Sequence, residues 1–340
     1  KDCMQHGEIG SPSLPYYSVR LLLPQGTEAS SAEVYFSDFV EVEGEYNLYP
    51  IQRFVPYSSA ETLPFSKNED VYAIKSELPE QAHTDVKTHY LNGYAFAFLN
   101  FTPLRYVPST GKIRYAKTVK IVVNTVPEKE DHSAMLRENH YSMNSVRSLA
   151  QNAEMMREYK SRATTLSGYD MLVVTREQFV DDFSEYTDYY NSIGIRTKVV
   201  STEYIYSEME GRDYQEKIRN YIIQEYQNEG IFMVTIGGDV NVVPHRGLYA
   251  SVNGGETENF EIPADMYYSC LDGNWNDDGD DKWGEIEEAD LLPEVGISRL
   301  TFTYSSSQAS KMIHKSLSYQ RSPVLGELRN VLLGSEQADN

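Results

Sequence analysis

The sequence predicts an α+β protein made of two unlike halves: an all-β sandwich over residues 1–126 and, over residues 168–340, an α/β domain with a mainly parallel sheet. Three observations carry this. Residues 15–125 read as short apolar runs broken by Pro, Gly and Ser. Residues 127–167 turn polar and charged. Beyond Gly168, β-type runs alternate with segments of helical period, the pattern of parallel strands joined through helices. At 340 residues the chain is long enough for two domains, each with its own core.

In the first half, strands are expected at 17–23, 33–42, 89–101 and 112–123. The last sets Ile113, Tyr115, Val119, Ile121 and Val123 on one face, as a half-buried strand requires. A sandwich is the economical way to pair such strands. Residues 127–167 spread Lys129, Arg137, Arg147, Arg157, Lys160 and Arg162 through a stretch that reads as an exposed, cleavable linker with some helix.

In the second half, a strand at 170–175 precedes a helix carrying Phe179, Phe183, Tyr186, Tyr190 and Ile193 up to Gly194. A strand at 195–201 follows, then a helix with the stripe Tyr214, Ile218, Tyr221, Ile222 and Tyr226, stopped by Gly230 before a strand at 231–236. A third helix spans 307–319, with Ala309, Met312, Ile313, Ser316 and Leu317 inward, and a last strand covers 329–334. In parallel sheets chemistry gathers beyond the carboxyl ends of strands. Here those ends are Gly237-Gly238-Asp239, Arg299 and Gly334-Ser335-Glu336.

Charge narrows the partners. With 51 acidic against 30 basic side chains the net charge is −21, which opposes a nucleic-acid partner, since that binding rests on cations neutralising phosphates. An anionic membrane surface is disfavoured for the same reason, and no apolar run approaches the roughly 20 residues a bilayer span needs. Two cysteines, Cys3 and Cys270, make no disulfide framework.

The densest chemistry lies between Asp272 and Glu285, where clustered side-chain oxygens repel one another unless a cation joins them. With Asn274 at position 1, Asn276, Asp278, Asp280 and Glu285 fall at positions 3, 5, 7 and 12 of a calcium loop, with Gly279 at the turn. Asp272 is a further oxygen donor. The flanks 267–270 and 292–297 read as strands rather than helices, so calcium is expected to stabilise the loop without a sensor's opening motion. The bland alternative is a solvated acidic loop. Cys270 reads as a packed thiol, because neighbouring carboxylates oppose thiolate formation. Cys3 lies in a polar tail. His245 follows the strand ending at Gly237-Gly238 and reads as a cleft residue, whereas His314 reads as a helix-surface residue. Asp239 and Asp265 suit either ion binding or helix capping.

Several strand-end segments in register resemble the gingipain family of cysteine peptidases. These are Ile236-Gly237-Gly238-Asp239-Val240-Asn241-Val242-Val243-Pro244, Ala264-Asp265-Met266-Tyr267-Tyr268 and Pro293-Glu294-Val295-Gly296-Ile297-Ser298-Arg299-Leu300. The helices around 224–230 and 313–319 resemble the family's as well. Gly10-Ser11-Pro12-Ser13-Leu14-Pro15 and Tyr106-Val107-Pro108-Ser109-Thr110-Gly111-Lys112 are similar to its N-terminal prodomain. Ser298-Arg299 stands where the family has a Gly-Arg pair. The resemblance implies a caspase-like, Rossmann-like peptidase domain whose first part occupies 168–340, incomplete at its C-terminus. It implies a Cys–His dyad lying beyond residue 340 and cleavage of protein or peptide substrates after Arg or Lys. Glu336 matches the family's accessory active-site glutamate. Residues 1–126 would be a prodomain that acts as chaperone and inhibitor across an intramolecular interface, with Arg105, Lys112 or Arg114 entering the substrate pocket. Activation would cut at Arg157, Lys160 or Arg162. Secretion follows from the family, the calcium-type loop and the prodomain architecture. A competing reading is an inactive, calcium-stabilised secreted binding module on the peptidase scaffold, and a transpeptidase using the same dyad is a third.

Overall fold

Alternation in the first half produces two antiparallel sheets whose apolar faces meet. The computed structural model describes residues 4–53, 64–160, 168–252, 257–280, 282–285 and 287–326. In chain order the half contains β1 (Met4–His6), β2 (Leu14–Leu22), β3 (Thr27–Val42), a short α1 (Glu69–Tyr72), β4 (Lys87–Leu91), β5 (Tyr94–Phe101), β6 (Leu104–Val107) and β7 (Lys112–Pro127). One sheet has the order β1-β2-β5-β4, the other β3-β7-β6. Between them Val19, Leu99 and Phe101 pack against Val34, Phe36, Val119 and Ile121.

The single strand expected at 89–101 is a hairpin. Asn92 and Gly93 both take positive φ, 52° and 77°, the tight turn whose twist suits right-handed strands, so β4 folds back on β5 with Leu91 opposite Tyr94.

The exposed linker expected at 127–167 is corrected over most of its length. β7 runs on to Pro127, and a 3-10 turn (His132–Met135), α2 (His140–Leu149) and a second 3-10 turn (Ala153–Glu158) follow. Tyr159 is buried, its hydroxyl donating to Leu23 O at 2.7 Å and accepting from Ala95 N at 3.2 Å. Asn152 brackets Leu22, accepting from its N–H at 2.7 Å and donating to its carbonyl at 3.0 Å. Leu136, Val146 and Tyr159 join a core with Leu22, Tyr94 and Phe96. Their irregular spacing carries no period, so sequence reading cannot see them as core.

The second half contains β8 (Met171–Thr175), α3 (Ser184–Ser192), β9 (Thr197–Ser201), α4 (Thr202–Glu208), α5 (Tyr214–Glu229), β10 (Met233–Gly237), β11 (Arg246–Val252), β12 (Thr257–Ala264), β13 (Gly296–Leu300) and α6 (Ser306–Arg321). The parallel sheet has the order β13-β10-β8-β9. β8 is buried throughout, as an uninterrupted apolar run in a covered sheet should be. Asp213 caps α5 by accepting from Glu216 N at 2.8 Å, and Gly230 ends it at φ 79°. The helix expected from Phe179 opens as a 3-10 turn, Glu177–Phe183, before α3 begins. The β11–β12 hairpin has no counterpart in the sequence reading, and the strand expected at 329–334 lies outside the described residues.

The halves meet at the amino-terminal edge of the parallel sheet. The Tyr226 hydroxyl, near the end of α5, lies 2.9 Å from Asn92 Oδ1 and 3.0 Å from Met135 O. The buried Arg137 guanidinium donates to Tyr226 O at 3.1 Å and lies over the Tyr226 ring. Tyr141 stacks on Phe232 with ring centroids 4.1 Å apart. A Cβ on Gly93 would sit 2.6 Å from Leu136 Cα and 2.8 Å from Met135 C, so this turn admits no side chain. Gly93→Ala is therefore expected to lower stability by roughly 2–4 kcal/mol, combining left-handed strain with displaced backbone. Urea unfolding of the full chain checks this, and a loss below about 1 kcal/mol would contradict the close packing of turn on turn.

Candidate functional site

Strand order reverses between β8 and β10: from β8 the chain steps to β9 on one side and then crosses to β10 on the other. The crevice this leaves at the carboxyl ends is where such sheets bind ligands. Thr175 closes its floor, donating to Gly237 O at 2.7 Å. A side chain at Gly237 would meet the Phe183 ring at 2.5 Å, which is why glycine stands there.

Asp239 and Asp265 hold this edge together. Asp239 accepts from Asn241 N at 2.9 Å and from the Thr303 hydroxyl. Asp265 takes a two-pronged ion pair from Arg299, at 2.7 and 2.6 Å, while the same guanidinium donates to Gly238 O and Val243 O at 2.9 and 2.8 Å. One planar fork thus joins β13 to the turns after β10 and β12, and the carboxylate oxygens of Asp265 are spent on structure. His245 is half-buried and its carbonyl accepts from Gln215, whereas His314 is exposed on α6.

The acidic loop is rigidly built. Trp275, at φ 66°, is buried, and Gly284 N donates to its carbonyl at 2.8 Å. Trp283 lies between Arg246, 3.7 Å over its ring, and Arg212 at 4.7 Å, with Arg246 fixed by Asp213 at 2.9 and 2.8 Å.

Of the predicted ligands, Asp278 and Glu285 come together. Their third partner is Glu288, which the twelve-residue register omitted, and the three carboxylates offer oxygens within 4.8 Å of one another. Glu288 Oε1 accepts from Asp277 N and Asp278 N at 2.9 and 3.2 Å, and its Oε2 is buried without a partner. Asn274 Oδ1 accepts from Asn276 N at 2.7 Å and Asp280 Oδ1 from Lys282 N at 2.6 Å, so these two spend an oxygen on the loop's own turns. Asn276 is buried with Oδ1 unpaired. Beside the loop, Tyr249, Asp277, Asp278, Glu285, Glu287 and Glu288 line a cleft of about 620 Å³. The flanking strands are corrected: a 3-10 turn, Met266–Tyr268, stands at 267–270, and β13 begins only at Gly296.

Asp272 joins a second cluster with Asp290 and Glu294, again with oxygens within 4.8 Å of one another. Burial pushes the Asp290 carboxyl up to about 7, aided by Asp272, and raises both Asp272 and Glu294. Glu294 accepts from Asn92 N at 3.1 Å and Leu271 N at 2.7 Å. Arg219 of α5 lies beside them, donating to the carbonyls of Tyr267, Cys270, Asp272 and Gly273 at 3.0, 3.0, 3.0 and 3.1 Å. Three carboxyl groups with oxygens this close, two of them with an unpartnered buried oxygen, offer the donor set of a hard, oxygen-ligated cation such as calcium. Glu294 escaped sequence reading because it was counted into the strand at 292–297, and Asp290 because it lies past the twelve-residue register; their four-residue spacing after an acidic loop was the available signal.

The remaining predicted residues are placed as follows. Cys270 is a buried thiol raised far above its ordinary range, by burial first and then by Asp290 and Glu294. The three basic residues assigned to a substrate pocket are instead engaged within the N-terminal half. Arg114 pairs with Glu77 at 2.6 and 2.7 Å, Arg105 lies over the Phe36 ring and donates to Thr102 O, and Lys112 approaches Gly44 O and Glu45. Apart from Phe36 in β3, their partners lie in the segments between strands, which spacing alone cannot reveal. Arg157 and Lys160 are exposed, with the Lys160 backbone pinned on both sides by the Gln25 amide at 2.9 and 3.1 Å. Arg162, Glu336 and Cys3 lie outside the described residues.

Arg299→Lys is expected to cost about 2–3 kcal/mol in urea unfolding, because an ammonium cannot reproduce the fork to Asp265 while also reaching two carbonyls. Unchanged stability would mean that the fork does not hold this edge.

The profile of the propeptide of family C25 matches residues 1–155, and that of peptidase family C25 matches residues 164–340. Gingipain R2 of Porphyromonas gingivalis strain W83 is 26% identical over 277 residues, covering 78% of this chain and 34% of that protein. Gingipain R1 of Porphyromonas gingivalis is 23% identical over 270 residues, covering 78% and 25%. The chain thus spans about a third or less of the length of these relatives. Among solved structures, one describing zymogenic latency of gingipain K from Porphyromonas gingivalis covers 37% of this chain and 72% of its own, with 23% identity and a TM-score of 0.31. A complex of Porphyromonas gingivalis RgpB pro- and mature domains covers 45% and 77%, with 18% identity and a TM-score of 0.34. With the peptidase profile matching more than half of the chain and the propeptide profile preceding it, this chain belongs to the gingipain-like cysteine peptidases of family C25 and carries the family's propeptide ahead of its peptidase region.

Proposed function

We propose that this chain is the zymogen portion of a secreted cysteine endopeptidase that cleaves proteins after Arg or Lys. The observation that carries the reading is the order and abutment of the two family matches, propeptide to residue 155 and peptidase from residue 164. The N-terminal half acts as chaperone and inhibitor, and the parallel-sheet half is the start of a caspase-like catalytic domain. A thiolate and a histidine from later in the polypeptide perform the acyl transfer, the thiolate attacking the scissile carbonyl and the imidazolium protonating the leaving amine. Glu336 orients that histidine.

Of Arg157, Lys160 and Arg162, we assign maturation to Arg162. Arg157 sits within a 3-10 turn and Lys160 is held through its backbone by Gln25, and both arrangements oppose the extended conformation in which a peptidase binds its substrate. The test is limited trypsin digestion of the polypeptide containing these residues, followed by assay on Arg and Lys amide substrates with and without a thiol alkylator. First cleavage within 161–167, at Arg162, and alkylator-sensitive hydrolysis are expected. Digestion that spares 161–167, or hydrolysis indifferent to alkylation, refutes the reading.

Calcium is the structural ion of the peptidase region, held by Asp278, Glu285 and Glu288 in the loop and by Asp272, Asp290 and Glu294 beneath it. The buried, unpartnered oxygens of Glu288, Asp272 and Asp290 support this, since polar atoms so placed are seldom left without a partner. At calcium about 100-fold above its Kd, binding adds about 2.7 kcal/mol, so chelation is expected to lower Tm by roughly 5–10 °C. An unchanged Tm removes the ion from the account.

A further inference from the structure

The second carboxylate cluster is shared between the two halves. Asp272 follows the 3-10 turn after β12, and Asp290 and Glu294 precede β13, but one of the hydrogen bonds that orients Glu294 comes from the backbone of Asn92, in the β4–β5 turn. Asp272 is 9% exposed, and its Oδ2 is buried without a partner; Asp290 Oδ2 is likewise unpaired. Glu294 has one oxygen on each half, Oε1 on Asn92 N and Oε2 on Leu271 N. Asn92 also reaches Tyr226 through its side chain, and Arg137 N donates to Asn92 O at 3.3 Å. The turn that touches the cluster is therefore the turn that carries the seam.

We infer that divalent-cation binding at Asp272, Asp290 and Glu294 and docking of the N-terminal half on the parallel-sheet half are one linked equilibrium, coupled through Glu294 and the Asn92 turn. The inference rests on the calcium reading above and adds a regulation to it. Without a cation, Asp272 Oδ2 and Asp290 Oδ2 lie buried beside Glu294 with nothing to draw the three side chains together. With a cation held by all three, Glu294 is fixed in the rotamer that accepts from Asn92 N. Linkage is reciprocal, so a docked N-terminal half tightens the cation as much as the cation tightens docking.

The experiment is hydrogen exchange by mass spectrometry on the full chain, with calcium chloride or with EGTA, following peptides that cover 91–95, 133–137 and 270–296. Calcium is expected to slow exchange about tenfold in all three regions. Asp290→Asn, which keeps the shape and removes a charge, is expected to abolish the slowing at 91–95 and 133–137, and Asp272→Asn to do the same if the first variant fails to fold. A double variant of the outer cluster, Asp278→Asn with Glu285→Gln, is expected to keep it. If calcium slows 270–296 but leaves 91–95 and 133–137 within twofold of their rates in EGTA, the linkage is wrong and the calcium reading survives. Persistence of the effect in Asp290→Asn also overturns the linkage. No response in any region removes both.

Discussion

Arg219 reaches from α5 into the segment that leads to the acidic loop and ties four of its carbonyls to one guanidinium, so the course of the chain from Tyr267 to Gly273 is set from beneath. Burying a guanidinium without counter-charge costs several kcal/mol, and the carboxylates of Asp272, Asp290 and Glu294 stand where they offset it. The dependence runs both ways. Three carboxyl groups crowded in a buried place are tolerable only when protons or a nearby cation offset their charge, and Arg219 supplies one positive charge. The rest of the loop inherits its shape from this anchor and from Trp283, clasped between Arg246 and Arg212.

Much of the architecture was legible because periodicity survives wherever an element buries one face. The alternation of Ile113 to Val123 and the stripe from Tyr214 to Tyr226 both mark real elements, β7 and α5. What was misread lacked a period. Asn92-Gly93 is a strong hairpin signal, yet the apolar residues on both sides merged into one run from 89 to 101 and hid it. Residues 127–160 look solvated because their few apolar side chains are widely spaced. Several find partners far away in sequence, as Tyr159 does with Leu23 and Ala95 and Tyr141 with Phe232, and no local pattern encodes that.

The site divides in the same way. An acidic loop is visible as composition, and Asp278 and Glu285 do converge. Which other carboxylates join them depends on how the chain returns after the loop. Glu288 closes onto the amides of Asp277 and Asp278, while Asp290 and Glu294 drop into the seam, where Asn92, some 200 residues earlier, completes the environment. Burial of a carboxylate is a tertiary property, and sequence shows only that the group is there. The strand-end residues were ambiguous for the opposite reason. Asp239 and Asp265 have the chemistry of ligands, but a single guanidinium from β13 and a threonine hydroxyl take up their oxygens.

The geometry also separates two roles that a propeptide is often assumed to combine. Tyr226 and Phe232 precede β10 and Glu294 precedes β13, so every one of these seam contacts lies at the amino-terminal edge of the parallel sheet. The crevice at Thr175, Gly237 and Asp239 lies at the carboxyl edge, one strand length away. A five-residue strand rises about 3.3 Å per residue, which puts the two edges roughly 15 Å apart. Contacts at one edge can secure the N-terminal half to the sheet and complete a cation cluster, but they cannot fill a cleft at the other. The basic residues Arg105, Lys112 and Arg114 have their described contacts with Phe36, Glu45 and Glu77 within their own half. The described seam contacts therefore secure the N-terminal half at the amino-terminal edge and leave the carboxyl edge of the sheet untouched.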